Sequence, residues 1–78
     1  MLTRTSLNEA FLKKCRAAAR RAIRNAALWN TKGQAYIDNR RGRLMMRVDF
    51  EPGRGLRFWE GSRKDVTSLI ASALGGVL

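Results

Sequence analysis

The chain predicts an α+β fold of order α-β-β-β-α, with a long basic N-terminal helix and a C-terminal helix packed on one face of a three-stranded antiparallel sheet. Three observations lead there. The stretch Leu7–Trp29 has helical periodicity, three short segments after it alternate as strands do, and Val66–Val77 carries a second helical stripe.

At about 100° per residue, Leu7, Phe11, Leu12, Cys15, Ala18, Ala19, Ala22, Ile23, Ala26 and Trp29 fall on one side of the first helix. Lys13, Lys14, Arg16, Arg20, Arg21 and Arg24 fall on the other side. Ser6 followed by Glu9 reads as a capping box, with Ser6 as N-cap and Glu9 three positions on. The helix is expected to end near Asn30, with Gly33 supplying the left-handed turn beyond it. At ~1.5 Å per residue it would be roughly 35 Å long, so one end is expected to project.

Three strands should follow. Gln34–Asp38 places Ala35 and Ile37 on one face and Tyr36 on the other. Asn39–Gly42 is a turn. In Arg43–Phe50, Leu44, Met46, Val48 and Phe50 point inward while Arg43, Met45, Arg47 and Asp49 point outward. Pro52–Gly55 is the second turn. Leu56–Glu60 then turns Leu56 and Phe58 inward, Arg57 and Trp59 outward. Two tight connections favour a meander. Ser62 as N-cap and Asp65 three residues on would open the second helix, with Val66, Leu69, Ile70, Ala73, Leu74 and Val77 as its apolar stripe and Gly75-Gly76 as its end.

A chain of 78 residues fits one small domain over residues 1–78, with 1–6 expected to be flexible. Sixteen basic residues, twelve of them Arg, stand against six acids, for a net charge of +10. Residues 1–32 carry +7 of that, residues 33–60 +2 and residues 61–78 +1. Such a balance points to anionic partners. There is no His, which removes the usual general base and the commonest metal ligand, and no acid/base pair or nucleophile dyad can be assembled from spacing. The expectation is therefore no enzyme, no cofactor and no metal. Cys15 is the single cysteine and lies on the apolar stripe, as a small buried hydrophobe would. A reducing, cytoplasmic setting fits. No apolar run approaches a membrane span, although an Arg-rich, acid-poor N-terminus is also what a presequence or an interfacial helix looks like.

Four groups of residues are candidates for binding. Lys13, Arg16, Arg20 and Arg24 form the central ridge of the first helix, spanning about 16 Å, and no acid lies between Lys13 and Trp29 to neutralise them locally. A solvated face normally mixes signs. On the outward sheet face, Tyr36, Met45 and Trp59 sit among Arg43, Arg47 and Arg57. Aromatics beside cations can stack unpaired bases, and the same face is open to a protein partner or a homodimer. Arg63 and Lys64, with Ser62, would seat a phosphate at the start of the second helix. Arg40, Arg41 and Arg54 lie on turns, where they can enter a groove or face water.

The order α-β-β-β-α, with Gly61-Ser62-Arg63-Lys64-Asp65-Val66 opening the last helix, resembles the double-stranded RNA-binding domain. That family has a similar Gly-Ser-Lys-Lys-x-Ala helix opening. The resemblance implies phosphate contacts from Arg63 and Lys64 across the major groove. It departs at Thr67, where the family has a third basic residue, and in the longer, more basic first helix. The size and basic build are also similar to small phage or plasmid accessory proteins, some of which bind nucleic acid while others block a host enzyme. The expected function is a basic DNA- or RNA-binding protein that contacts phosphates through the N-terminal helix with little sequence specificity. The alternative is a phage-type inhibitor or adaptor, for example of a host defence complex, docking on an acidic or nucleic-acid-binding protein surface.

Overall fold

Asn8, not Ser6, caps the first helix: its side-chain oxygen accepts the Phe11 N–H at 2.9 Å. Asn is as good an acceptor as Ser at this position, and Glu9 remains beside the positive end of the helix. The structure is a computed structural model that describes residues 7–38, 44–61 and 64–75. Ser6 and the flexible segment expected at 1–6 lie outside the described residues. So do the Asn39–Gly42 turn with Arg40 and Arg41, as well as Arg43, Ser62, Arg63, Gly76 and Val77.

The elements are α1 (Glu9–Trp29), β1 (Gly33–Asp38), β2 (Leu44–Glu51), β3 (Gly55–Glu60), β4 (Lys64–Asp65) and α2 (Thr67–Leu74). The sheet is antiparallel with four strands in the order β1-β2-β3-β4, one more than expected. The extra strand has two residues, too short to show alternation, and it folds back on Trp59 and Glu60 after Gly61 at φ 62°. Lys64 therefore sits in a strand, not in the first turn of a helix, and α2 begins three residues later. Asp65 is not its third residue. Its Oδ1 accepts the Thr67 N–H at 2.9 Å from just outside the helix, the local turn short acidic side chains favour. The Thr67 hydroxyl and amide, with Arg57 alongside, hold the Asp65 carboxyl below its ordinary range. The same hydroxyl accepts the Phe58 N–H at 2.9 Å, and the Val66 N–H reaches the Phe58 carbonyl at 2.8 Å. This junction closes the edge of β3 that two strand residues alone would leave open.

Alternation holds as the sequence predicts. Ala35, Ile37, Met46, Val48 and Phe58 are buried in one cluster with Phe11, Leu12, Cys15, Ala18, Ala19 and Ala22 of α1, and with Val66, Ile70 and Leu74. Both helices thus lie on one sheet face. Leu69 departs from the expected stripe and is exposed, because eight residues of α2 cover only the β3 end of the sheet.

Gly33 has a different role from the one expected. The left-handed residue after α1 is Asn30, at φ 54°. Gly33 is in β1, where α1 passes so close that an added Cβ would collide with the Ala22 carbonyl oxygen and lie 2.5 Å from the Ala26 nitrogen. The small residues Ala18, Ala22 and Ala26 make that approach possible. Ala26 is the last buried residue of α1, and the three residues after it, Ala27 to Trp29, are exposed. Trp29, expected on the buried stripe, is 72% exposed, Leu28 is 73% exposed, and Ile23 sits at the rim of the stripe.

Candidate nucleic-acid interface

Packing one stripe of α1 onto β1 and β2 leaves the opposite stripe in solvent. Lys13, Lys14, Arg20, Arg21 and Arg24 are exposed there. Lys13, Arg20 and Arg24 stand on one side of the exposed face, and from Lys13 to Arg24 the ridge is roughly 16 Å long. Arg16 does not belong with them: its side chain is 29% exposed and pairs with Glu9 Oε1 at 3.1 Å. Counting neighbours four residues away misses this pair, because Glu9 reaches Arg16 across two turns. Arg21 leans over the edge of β1 and donates to the Tyr36 carbonyl at 3.3 Å, next to Asn25 donating to the Gln34 carbonyl at 3.0 Å. These contacts cover part of an open strand edge and leave the Arg21 charge without a carboxylate. Among the described residues, Lys13, Lys14, Arg20, Arg21 and Arg24 have no ion pair.

Three carboxylates, Asp49, Glu51 and Asp65, lie on the far side of the molecule. The register sets Tyr36, Arg47, Trp59 and Asp65 in one row across all four strands, and Gln34, Asp49 and Arg57 in the next. Of the expected outer-face residues, Tyr36, Arg47, Arg57 and Trp59 are therefore brought together, while Arg43 and the Met45 side chain lie outside the described residues. Arg47 lies with its guanidinium carbon 5.4 Å from the Trp59 ring centre, a cation–π distance, and its Nε is 3.2 Å from Asp49 Oδ1. That contact is an attraction between charges, since neither atom has a well-aligned hydrogen bond, and the buried Trp59 Nε1–H also lacks one among the described residues. Arg57 pairs with Asp65 at 3.3 Å. Lys32 and Arg54 share Glu51, each at a loose 3.8 Å. Tyr36 is half exposed, and its hydroxyl donates to Gln34 Oε1 at 3.2 Å. Lys64, in β4, is exposed.

Two concavities flank the start of the sheet. One, of about 300 Å³, opens on the outer face between Lys32, Gln34, Asp49, Arg54 and Trp59. The other, of about 210 Å³, lies over the β1 edge between Lys14, Arg21 and Tyr36. Sequence reasoning passes over Lys14, Arg21, Lys32 and Gln34 as site residues. Lys32 and Arg54 are far apart in the chain, and only the pairing of Gly33 with Phe50 and of Glu51 with Gly55 brings their ends of the sheet together.

Cys15 is fully buried, and burial pushes its thiol pKa up to about 11 against a weak opposing pull from Arg16. Among the described residues, no three His, Cys, Asp or Glu side chains gather into a group that could hold a metal ion, and no helix is long and apolar enough to cross a membrane. No protein-family model matches the chain, nor does any curated protein or solved structure.

Proposed function

We propose that this protein binds nucleic acid through phosphates along the solvent face of α1. The observation that carries the reading is the separation of charge. Lys13, Lys14, Arg20, Arg21 and Arg24 face solvent with no carboxylate paired to them among the described residues, while Glu9, Asp49 and Asp65 each pair with an arginine elsewhere and Glu51 is shared by Lys32 and Arg54. A row of cations on a rigid helix lowers its free energy by meeting a polyanion, and guanidinium groups suit phosphate oxygens. Binding of this kind has little sequence specificity, because phosphates carry none.

Fluorescence anisotropy with labelled DNA and RNA between 50 and 200 mM salt tests it. About five phosphate contacts should give a loss of affinity of roughly 10²-fold over that range through counterion release. Absence of binding to every nucleic acid at 50 mM salt would end the reading.

Leu28 and Trp29 favour a second reading, in which α1 docks on an acidic protein. Phosphates need no apolar contact, whereas aromatic and cationic residues together are common at protein interfaces. Under that reading, Trp29→Ala abolishes partner capture and leaves nucleic-acid affinity unchanged.

A further inference from the structure

We infer that the ligand of the α1 cations is a single strand that leaves the helix, crosses the edge of β1 at Tyr36 and enters the cavity beside Trp59. This rests on the nucleic-acid reading above and adds the class of nucleic acid and a base-binding groove. The groove is visible as two cavities joined through side chains. The first lies between Lys14, Arg21 and Tyr36, so its floor already belongs to the helix cations. Tyr36 projects from its rim, 49% exposed, and its hydroxyl touches Gln34, which lines the second cavity. The second cavity is lined by Trp59 together with Lys32 and Arg54.

The chemistry along this path alternates. Lys14 and Arg21 offer positive charge, Tyr36 an exposed ring, Gln34 an amide, Trp59 a second ring, and Lys32 and Arg54 positive charge again. Asp49 and Glu51 also line the second cavity, the first paired with Arg47 and the second shared by Lys32 and Arg54. Rings flanked by cations are how small domains hold unpaired bases with their phosphates. The cations at the far end share one carboxylate, Glu51, each at 3.8 Å, so two positive charges stand against one negative and a net positive charge is left for a phosphate. Arg47 and Arg57, held by their own carboxylates at 3.2 and 3.3 Å, serve as the fixed wall behind Trp59.

The shape of the path selects the ligand. It passes from one face of a body measuring 36 × 28 × 21 Å, over an edge, to the opposite face. A duplex, with a persistence length of about 150 base pairs, cannot turn that corner and would touch the helix face alone. A single strand can turn it, with its bases splayed onto Tyr36 and Trp59.

The test compares a fluorescein-labelled oligothymidylate and an oligouridylate of about 12 nucleotides with a duplex of mixed sequence and equal length. The probes are titrated into the full chain, into Tyr36→Ala, and into Lys32→Ala/Arg54→Ala. Both single strands should bind at least ~10-fold tighter than the duplex, and Tyr36→Ala should cost the single strands roughly 5- to 100-fold while leaving duplex affinity unchanged. The double variant should behave likewise. In a Trp29→Phe background, whose one remaining tryptophan is Trp59, the single strand should quench its fluorescence and the duplex should not. Circular dichroism controls for folding, and Tyr36→Trp, which keeps a ring, should restore binding. If the duplex binds as tightly as the single strands and Tyr36→Ala changes neither, the groove is overturned while the α1 reading stands. If nothing binds, both fall.

Discussion

Both broad faces of this molecule carry arginines, and they differ in what surrounds them. On the outer sheet face Arg47 and Arg57 lie within 3.3 Å of Asp49 and Asp65. On the solvent face of α1 the one pair is Arg16 with Glu9, at the N-terminal end, and the cations beyond it have none among the described residues. The number of arginines alone does not distinguish the two faces; the position of a few carboxylates does, and it leaves the α1 face with the larger net charge. A paired arginine on a sheet stiffens the surface and holds a tryptophan ring, whereas an unpaired one on a helix keeps its full attraction for an anion at a distance.

The comparison breaks most severely if α1 is unseated. Gly33→Ala places a methyl group against the backbone of Ala22 and Ala26, which cannot give way as a side chain would. It should cost at least about 3 kcal/mol, read as the shift of the urea midpoint, or prevent folding outright.

Charge reversal tests the contrast itself. Arg20→Glu with Arg24→Glu should lower nucleic-acid affinity by about 10²-fold or more and flatten the salt dependence, with the helical circular dichroism retained. Arg47→Gln should change affinity less than about threefold, because Asp49 already neutralises that arginine. It should instead lower stability by about 1 kcal/mol, since it removes the cover over Trp59 and leaves the Asp49 carboxylate alone. Equal losses of affinity from Arg20→Glu/Arg24→Glu and from Arg47→Gln would erase the distinction.

The buried side of α1 makes a smaller claim. Folding raises the Cys15 pKa from its ordinary 9.0 to about 11, so the folded state holds that proton more tightly than the unfolded chain does. Stability is then unaffected below pH 9 and falls as the pH rises from 9 toward 11. The loss at pH 10 should be about 1 kcal/mol. Denaturant melts at pH 8 and pH 10 measure it, and Cys15→Ala should remove the difference. The smallest effect sharpens the charge comparison: Glu9→Gln frees Arg16 to join the ridge, and affinity at 50 mM salt should rise by roughly two- to fivefold, the share of one added phosphate contact.

Residues with a periodic environment are legible in the amino-acid order. The stripe of α1, the alternation of β1 to β3 and their inward residues follow from spacings of 3.6 and 2, and the structure places Phe11, Cys15, Met46, Val48 and Phe58 inside accordingly. Features with no period are not legible in that way. β4 is two residues long, and Thr67 acquires its role only because Phe58 comes alongside. Gly33 reads as a helix terminator from position alone, but its neighbours are Ala22 and Ala26, the backbone of another element. Trp29 fits the apolar stripe by angle and is exposed at the last residue of α1, beyond Ala26, where burial stops. In the candidate site, the exposure of Lys13, Arg20 and Arg24 is readable from helical angle; the engagement of Arg16 and the joining of Tyr36, Gln34, Lys32 and Arg54 are not.

The class of fold, most of the buried residues and the excess of cations on the first helix can be read from residue order, because they depend on local periodicity and composition. Which cations stay unpaired among the described residues, and which side chains line the two cavities, depends on strand register and on how closely two backbones approach.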